Sequence, residues 1–231
     1  MAEYNQCYDK HEKRQLCMNK ISQLITYIKD YQAVDAAHLK CSYVCVNSNM
    51  FRGCFHPSPV ADLIVGKLRR GSIRKGDVSS EKLSHRYLFD ANNRLMRIEN
   101  IYQGKATYIE DLAYASNSRI GITSFNGKIY NICEEIFENG HIISVAIMSY
   151  YELESDRCLY NLHWEEYAYD EKGLCFCDFV TNFNPDGLPF VCSQYTFTVQ
   201  DGVLKSYTNR AGDQFIITQK RDAQGKGFYF P

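Results

Sequence analysis

From about His11 to Tyr31, apolar side chains recur at every third or fourth position, at Cys17, Ile21, Leu24, Ile25, Ile28 and Tyr31, with charged residues between them. That spacing places them on one face of an amphipathic α-helix. The pattern does not continue for several heptads, so the stripe predicts packing on the protein's own core and not a coiled coil. Cys41 to Val46 reads as a short strand, followed by the turn composition Asn47-Ser48-Asn49. Ser58-Pro59 then predicts a second helix, because a serine oxygen can accept the free amides of a first turn and proline suits that turn. This helix is expected to run to about Arg70, with Gly71 as its left-handed cap.

From Leu83 onward the chain becomes a series of apolar and aromatic runs separated by turn pairs. Asn92-Asn93, Asn126-Gly127, Asn139-Gly140, Lys172-Gly173, Asp186-Gly187, Asp201-Gly202 and Ala211-Gly212 punctuate them. Asn-Gly and Asp-Gly supply the positive φ angles of tight hairpins. Gly173, Gly187, Gly202 and Gly212 are 14, 15 and 10 residues apart, too close for crossover helices, so neighbouring strands are expected to be antiparallel. Alternation agrees: Tyr195, Phe197 and Val199 share one face of a strand, Thr196 and Thr198 the other. The predicted fold class is mainly β (α+β): an N-terminal amphipathic helix and a second short helix, then a long antiparallel meander of about ten to twelve strands. Residues 1–82 form the helical N-terminal part and residues 83–231 the meander, packed as one unit. Spacing alone does not distinguish an open sheet from a barrel or a sandwich.

Composition adds two constraints. At 231 residues, with 45% hydrophobic and 23% charged side chains, the chain is long enough for one sizeable core. Its start, Met1-Ala2-Glu3-Tyr4-Asn5, lacks the basic and apolar regions of an export signal, and no apolar run approaches membrane-spanning length. The expectation is a soluble, cytoplasmic protein without a membrane partner. The ten cysteines are then read as reduced, packed thiols, with Cys133, Cys175, Cys177 and Cys192 inside strand-like runs.

Charge is unevenly placed. Residues 131–171 hold ten acids, Glu134, Glu135, Glu138, Glu152, Glu154, Asp156, Glu165, Glu166, Asp170 and Glu171, against Arg157 alone. Residues 1–86 lean the other way, with fourteen Lys and Arg against eight Asp and Glu. Such a separation steers association with a charged partner; it also permits the two regions to neutralise each other within one fold. The basic run Lys67, Arg69, Arg70, Arg74 and Lys75 lacks interleaved aromatics, so it reads as a solvated helix end and nucleic acid is not the expected partner.

Motifs for catalysis and cofactors are silent: there is no Gly-x-Gly-x-x-Gly, P-loop, His-Glu-x-x-His or Gly-x-Ser-x-Gly. No cofactor or metal ligand set is assigned. Cys54 and His56 are two apart in an extended stretch, where a thiol and its base rarely meet, so His56 is expected to shape the entry to the second helix. On a strand, His163 and Glu165 share a face with Asn161, Tyr167 and Tyr169, while Trp164 points the opposite way into the core. The His and Glu face is expected to meet solvent or a partner.

Tyr87-Leu88-Phe89-Asp90-Ala91-Asn92-Asn93-Arg94-Leu95 and Tyr167-Ala168-Tyr169-Asp170-Glu171-Lys172-Gly173-Leu174 resemble the YD repeats of bacterial Rhs-type proteins, in which aromatic, Asp, turn Gly and Leu recur. The regular period of those repeats is missing. In general character, a short helical start followed by a Tyr-rich meander with an acidic stretch, the chain is similar to the immunity proteins that bacteria encode beside polymorphic toxins. That resemblance implies a cytoplasmic binding protein that occludes a cognate toxin domain.

The residues expected to face such a basic partner are Glu134, Glu138, Glu152, Glu154, Asp156, Glu165 and Glu166, with Tyr150, Tyr151, Tyr167 and Tyr169 supplying contact area. No residue is assigned a catalytic role. Two rival readings stand beside this one: a hydrolase using Glu165, Glu166 or His163 in a β cleft, and a structural interaction module of YD-like hairpins.

Overall fold

The computed structural model describes residues 10–64, 68–75, 82–152, 158–185 and 190–218. The amphipathic stripe forms one helix, α1 (Lys10–Lys29), which buries Cys17, Ile21 and Leu24. The second helix, α2, is a single turn, Ala61–Ile64. The strands are β1 (Lys40–Val46), β2 (Ser72–Lys75), β3 (Leu83–Phe89), β4 (Leu95–Tyr102), β5 (Lys105–Tyr114), β6 (Ser118–Phe125) and β7 (Lys128–Glu138). They continue as β8 (His141–Glu152), β9 (Cys158–Asp170), β10 (Gly173–Phe183), β11 (Val191–Gln200), β12 (Val203–Asn209) and β13 (Gln214–Ile216).

All thirteen belong to one open antiparallel sheet, ordered β13 through β3 in sequence and then β1 and β2 at the far edge. Asn126-Gly127, Asn139-Gly140 and Asp201-Gly202 take positive φ at both positions, the backbone that two-residue hairpins require. The N-terminal part therefore contributes two strands as well as helices, with β1 seated between β3 and β2.

The helix predicted from Ser58 to Arg70 is the main departure from the sequence reading. Its start is as expected, since Ser58 Oγ accepts from the amides of Val60 (3.3 Å) and Ala61 (2.9 Å). The chain then folds back: Arg70 Nε donates to Asp62 at 3.1 Å, and its guanidinium also reaches the carbonyls of His56 and Ser58. In a continuous helix, residues 62 and 70 would be about 12 Å apart along the axis. Arg70 is thus a buried clamp and not part of a solvated helix end. Lys67 lies outside the described residues.

Both faces of the sheet are covered, which explains why its central strands are buried on alternate and consecutive positions alike. On one face α1 packs Cys17, Ile21 and Leu24 against Ile132, Met148, Leu162, Trp164, Val180 and Phe183. On the other lies a strap, residues 50–64. It packs Val60 against Cys133, Val145, Tyr167 and Phe179, and Cys54 and Phe55 against Cys45, Tyr87, Ile98 and Leu112. Cys17, Cys41, Cys45, Cys54, Cys133, Cys175, Cys177 and Cys192 are free thiols. No helix there is long and apolar enough to cross a membrane.

Candidate functional site

Two covered faces leave little room for charge at the centre of β7 and β9, yet three of the ten clustered acids sit there. Glu134, Glu135 and Glu165 are 2%, 0% and 0% exposed. Isolated carboxylates in such a place are strongly disfavoured, so each must be paired. Glu134 faces α1 and accepts from Lys20 Nζ (2.8 Å), Gln23 Nε2 (2.9 Å) and Tyr27 OH (2.9 Å). Glu166 on β9, with its side chain half-exposed, meets Lys13 Nζ at 3.4 Å, and the same ammonium bonds Asp178 at 2.8 Å. Lys13 and Lys20 flank the Trp164 ring at 4.9 and 5.4 Å, so the basic residues of α1 dock on acids and an aromatic face together.

Glu135 points to the strap side. Arg119 Nε donates to it at 2.7 Å, and Arg52 Nη1 at 2.5 Å. Arg52 also forks onto Glu110, through Nε at 2.8 Å and Nη2 at 2.6 Å. This bidentate geometry is one that arginine alone provides. Arg52 holds a left-handed backbone, φ 57°, a conformation that persists for a non-glycine residue only where surroundings over-determine it. Gly121 makes the space: a Cβ there would overlap Glu110 Oε1 and Arg52 Nη2.

Burial pushes the Glu135 carboxyl up, but Arg119 and Arg52 outweigh it and hold the group down from 4.5 to about 2. The folded-state value lies below the unfolded one, so the stabilisation is complete above about pH 4.5 and is lost as pH falls toward about 2. Its size is on the order of 3 kcal/mol. Urea unfolding across that window is expected to show this loss in the wild type. Glu135→Gln is expected to be less stable at neutral pH and to decline less on acidification; parallel acid profiles would remove Glu135 from the account.

The other acids and tyrosines divide between inside and outside. Glu165 receives His163 Nε2 at 2.6 Å on one oxygen and the Tyr167 hydroxyl on the other, and Tyr167 also meets Ser58 Oγ at 3.1 Å. The face shared by His163, Glu165 and Tyr167 is as predicted, but it lies beneath the strap and does not meet solvent at Glu165. Trp164 is in the core on the opposite face, as expected. Tyr169 stacks on His141 with centroids 4.6 Å apart, and Tyr150 packs beside Tyr160 at 5.7 Å. Glu138 is exposed. Tyr151 and Glu152 are placed only as backbone in β8, paired with Leu159 and Cys158, while Glu154 and Asp156 lie outside the described residues.

Cys54 and His56 do not form a pair. Cys54 Sγ faces Cys45 Sγ at 3.0 Å. His56 Nδ1 accepts from the Ser58 amide at 3.1 Å, and burial, with Arg70 nearby, holds its pKa well below the usual histidine value. Among the described residues no three metal-ligating side chains converge.

Two features were not anticipated from sequence. One is a cleft of about 280 Å³ beside Arg52, walled by Phe51, Tyr108 and Tyr130 and floored by Asn100, Glu110, Thr123 and Asn131. The other is the end of the sheet where β7, β9 and β11 finish. Alternate strands of a meander run the same way, so their hairpin tips share one rim. The rim presents Glu138, Asp170, Glu171 and Asp201, all exposed, with Lys172 as the lone lysine in those tips. The turn pairs located these tips in the sequence; only strand order shows that they are neighbours. No protein-family model matches the chain, and no curated protein matches it in sequence.

Proposed function

We propose that the chain is a binding protein that neutralises a basic partner, in the manner of an immunity protein occluding a cognate toxin domain. The observation that carries this reading is the acidic rim of Glu138, Asp170, Glu171 and Asp201 on adjacent hairpin tips. Acids inside the sheet are already matched by Lys13, Lys20, Arg52 and Arg119, so the recognition charge resides at the rim and not throughout residues 131–171. A rim held by a sheet packed on both faces is preorganised, which reduces the ordering cost of association. Its charge complements lysines and arginines of the kind that hold phosphates, and steers their approach.

The test is affinity capture from the protein's own organism at about 50 mM and about 300 mM salt, with wild type and Glu138→Lys/Glu171→Lys/Asp201→Lys side by side. One basic protein is expected on the wild type at low salt and is expected to be depleted on the triple variant. Equal retention by both, or no specific basic protein on either, overturns the proposal.

A further inference from the structure

The cleft beside Arg52 has the composition of a ligand site, and nothing in the partner-binding reading uses it. Its carboxylates and guanidiniums are matched among themselves, Glu110 by Arg52 and Glu135 by Arg52 together with Arg119, while the His85 ring in the same lining meets the Asn100 amide at 3.3 Å. An ionic ligand would therefore enter without a counter-charge, which selects for a neutral one.

The floor is polar and incompletely bonded. Thr123 is 4% exposed, yet its hydroxyl has no hydrogen-bond partner, and neither has Asn131 Oδ1. These two residues face each other directly across β6 and β7, where side chains of paired residues come within about 5 Å. Leaving either group unmatched is costly, so a ligand that matches both gains affinity. The chemistry of the pair is specific. The amide oxygen only accepts and the threonine hydroxyl can do either, so one ligand hydroxyl, or two on adjacent carbons, satisfies both.

The walls complete the description. Tyr108 and Tyr130 lie 5.1 Å apart at 51°, and Tyr108 packs against Phe125 at 4.9 Å. The two rings are in contact at a tilt, which leaves no parallel slot between them for a flat nucleobase, and together they line the cleft with an aromatic wall suited to the C–H surface of a puckered ring. At about 280 Å³ the cleft lies just below the usual range of small-molecule sites, roughly 300–1,000 Å³, which suits a single ring.

We infer that this cleft binds a neutral, polyhydroxylated ring of monosaccharide size, with its hydroxyls on Thr123 and Asn131 and its apolar face on Tyr108 and Tyr130. The probes are D-glucose, D-galactose, D-mannose and N-acetyl-D-glucosamine, with adenine and uridine as the planar comparison. Binding is read by ligand-observed NMR titration, and the fold of each variant by thermal unfolding.

At least one of the four sugars is expected to bind the wild type with a millimolar or tighter Kd. Thr123→Val is expected to weaken it by about tenfold while leaving the unliganded melting temperature unchanged or raised, because an unmatched hydroxyl has been removed. Tyr130→Leu, which removes one wall and leaves the floor intact, is expected to weaken the same sugar. The assignment is overturned if no sugar binds, if only the planar compounds bind, or if Thr123→Val binds sugar as tightly as wild type. It is overturned equally if Thr123→Val melts lower and no sugar protects the wild type, since the floor would then serve only water and the fold.

Discussion

Arg52→Ala is expected to lower the unfolding free energy by about 3–5 kcal/mol, the scale for removing one partner from a buried ion pair. The loss arises because Glu110 and Glu135, 3% and 0% exposed, would be left buried with only Arg119 to meet Glu135. Arg52→Lys is expected to recover part of this and no more, since an ammonium cannot fork onto Glu110 and reach Glu135 together. Denaturant unfolding measures both. If Arg52→Ala unfolds within about 0.5 kcal/mol of wild type, the strap is not anchored through this side chain.

Trp164→Ala is expected to cost about 3–5 kcal/mol, as large-to-small changes of buried aromatic residues do. Trp164 is 8% exposed, packs with Leu162 and Val180 under α1, and donates from Nε1 to Ser144 Oγ at 3.0 Å. Its ring also lies beneath the ammonium groups of Lys13 and Lys20, so its removal loosens the helix as well as the sheet. Hydrogen exchange is expected to show the amides of α1 losing protection before those of β3 to β5. Uniform loss across the sheet would mean that the helix is held by its ion pairs and not by this ring.

The two variants probe opposite faces of one sheet, and they also mark what the sequence could show. Helix α1 was legible because a 20-residue amphipathic pattern is long enough to be unambiguous. The meander was legible because Asn-Gly and Asp-Gly turns at short intervals exclude crossovers. Arg52 was not. A single arginine in a loop has no periodicity, and its partners Glu110 and Glu135 are 58 and 83 residues away.

The acids were visible as a cluster, but their fate depended on strand position. Glu134 and Glu135 follow Ile132 and Cys133 in an otherwise apolar run, and adjacent strand residues face opposite ways. Once both faces are covered, both acids must be buried and paired. That run was the available sign of an internal role, and reading it required knowing that the strap lies over the face opposite α1. The strap was hidden because the Ser58 start signal looked like a longer helix, whereas Arg70 folds the chain back on itself.

The acidic residues therefore fall into two sets, one that holds the sheet to its helix and strap and one, exposed at the hairpin rim, that we propose meets a partner. The measurement that tests this most directly is the association rate of the captured basic partner with wild type and with the triple rim variant, as salt is raised from about 50 mM. The account predicts a wild-type rate that falls steeply with salt. It predicts a variant at least about tenfold slower at low salt and nearly insensitive to it, with an unchanged urea midpoint. Equal rates and equal salt dependence in a folded variant would contradict it, and would place recognition away from Glu138, Glu171 and Asp201.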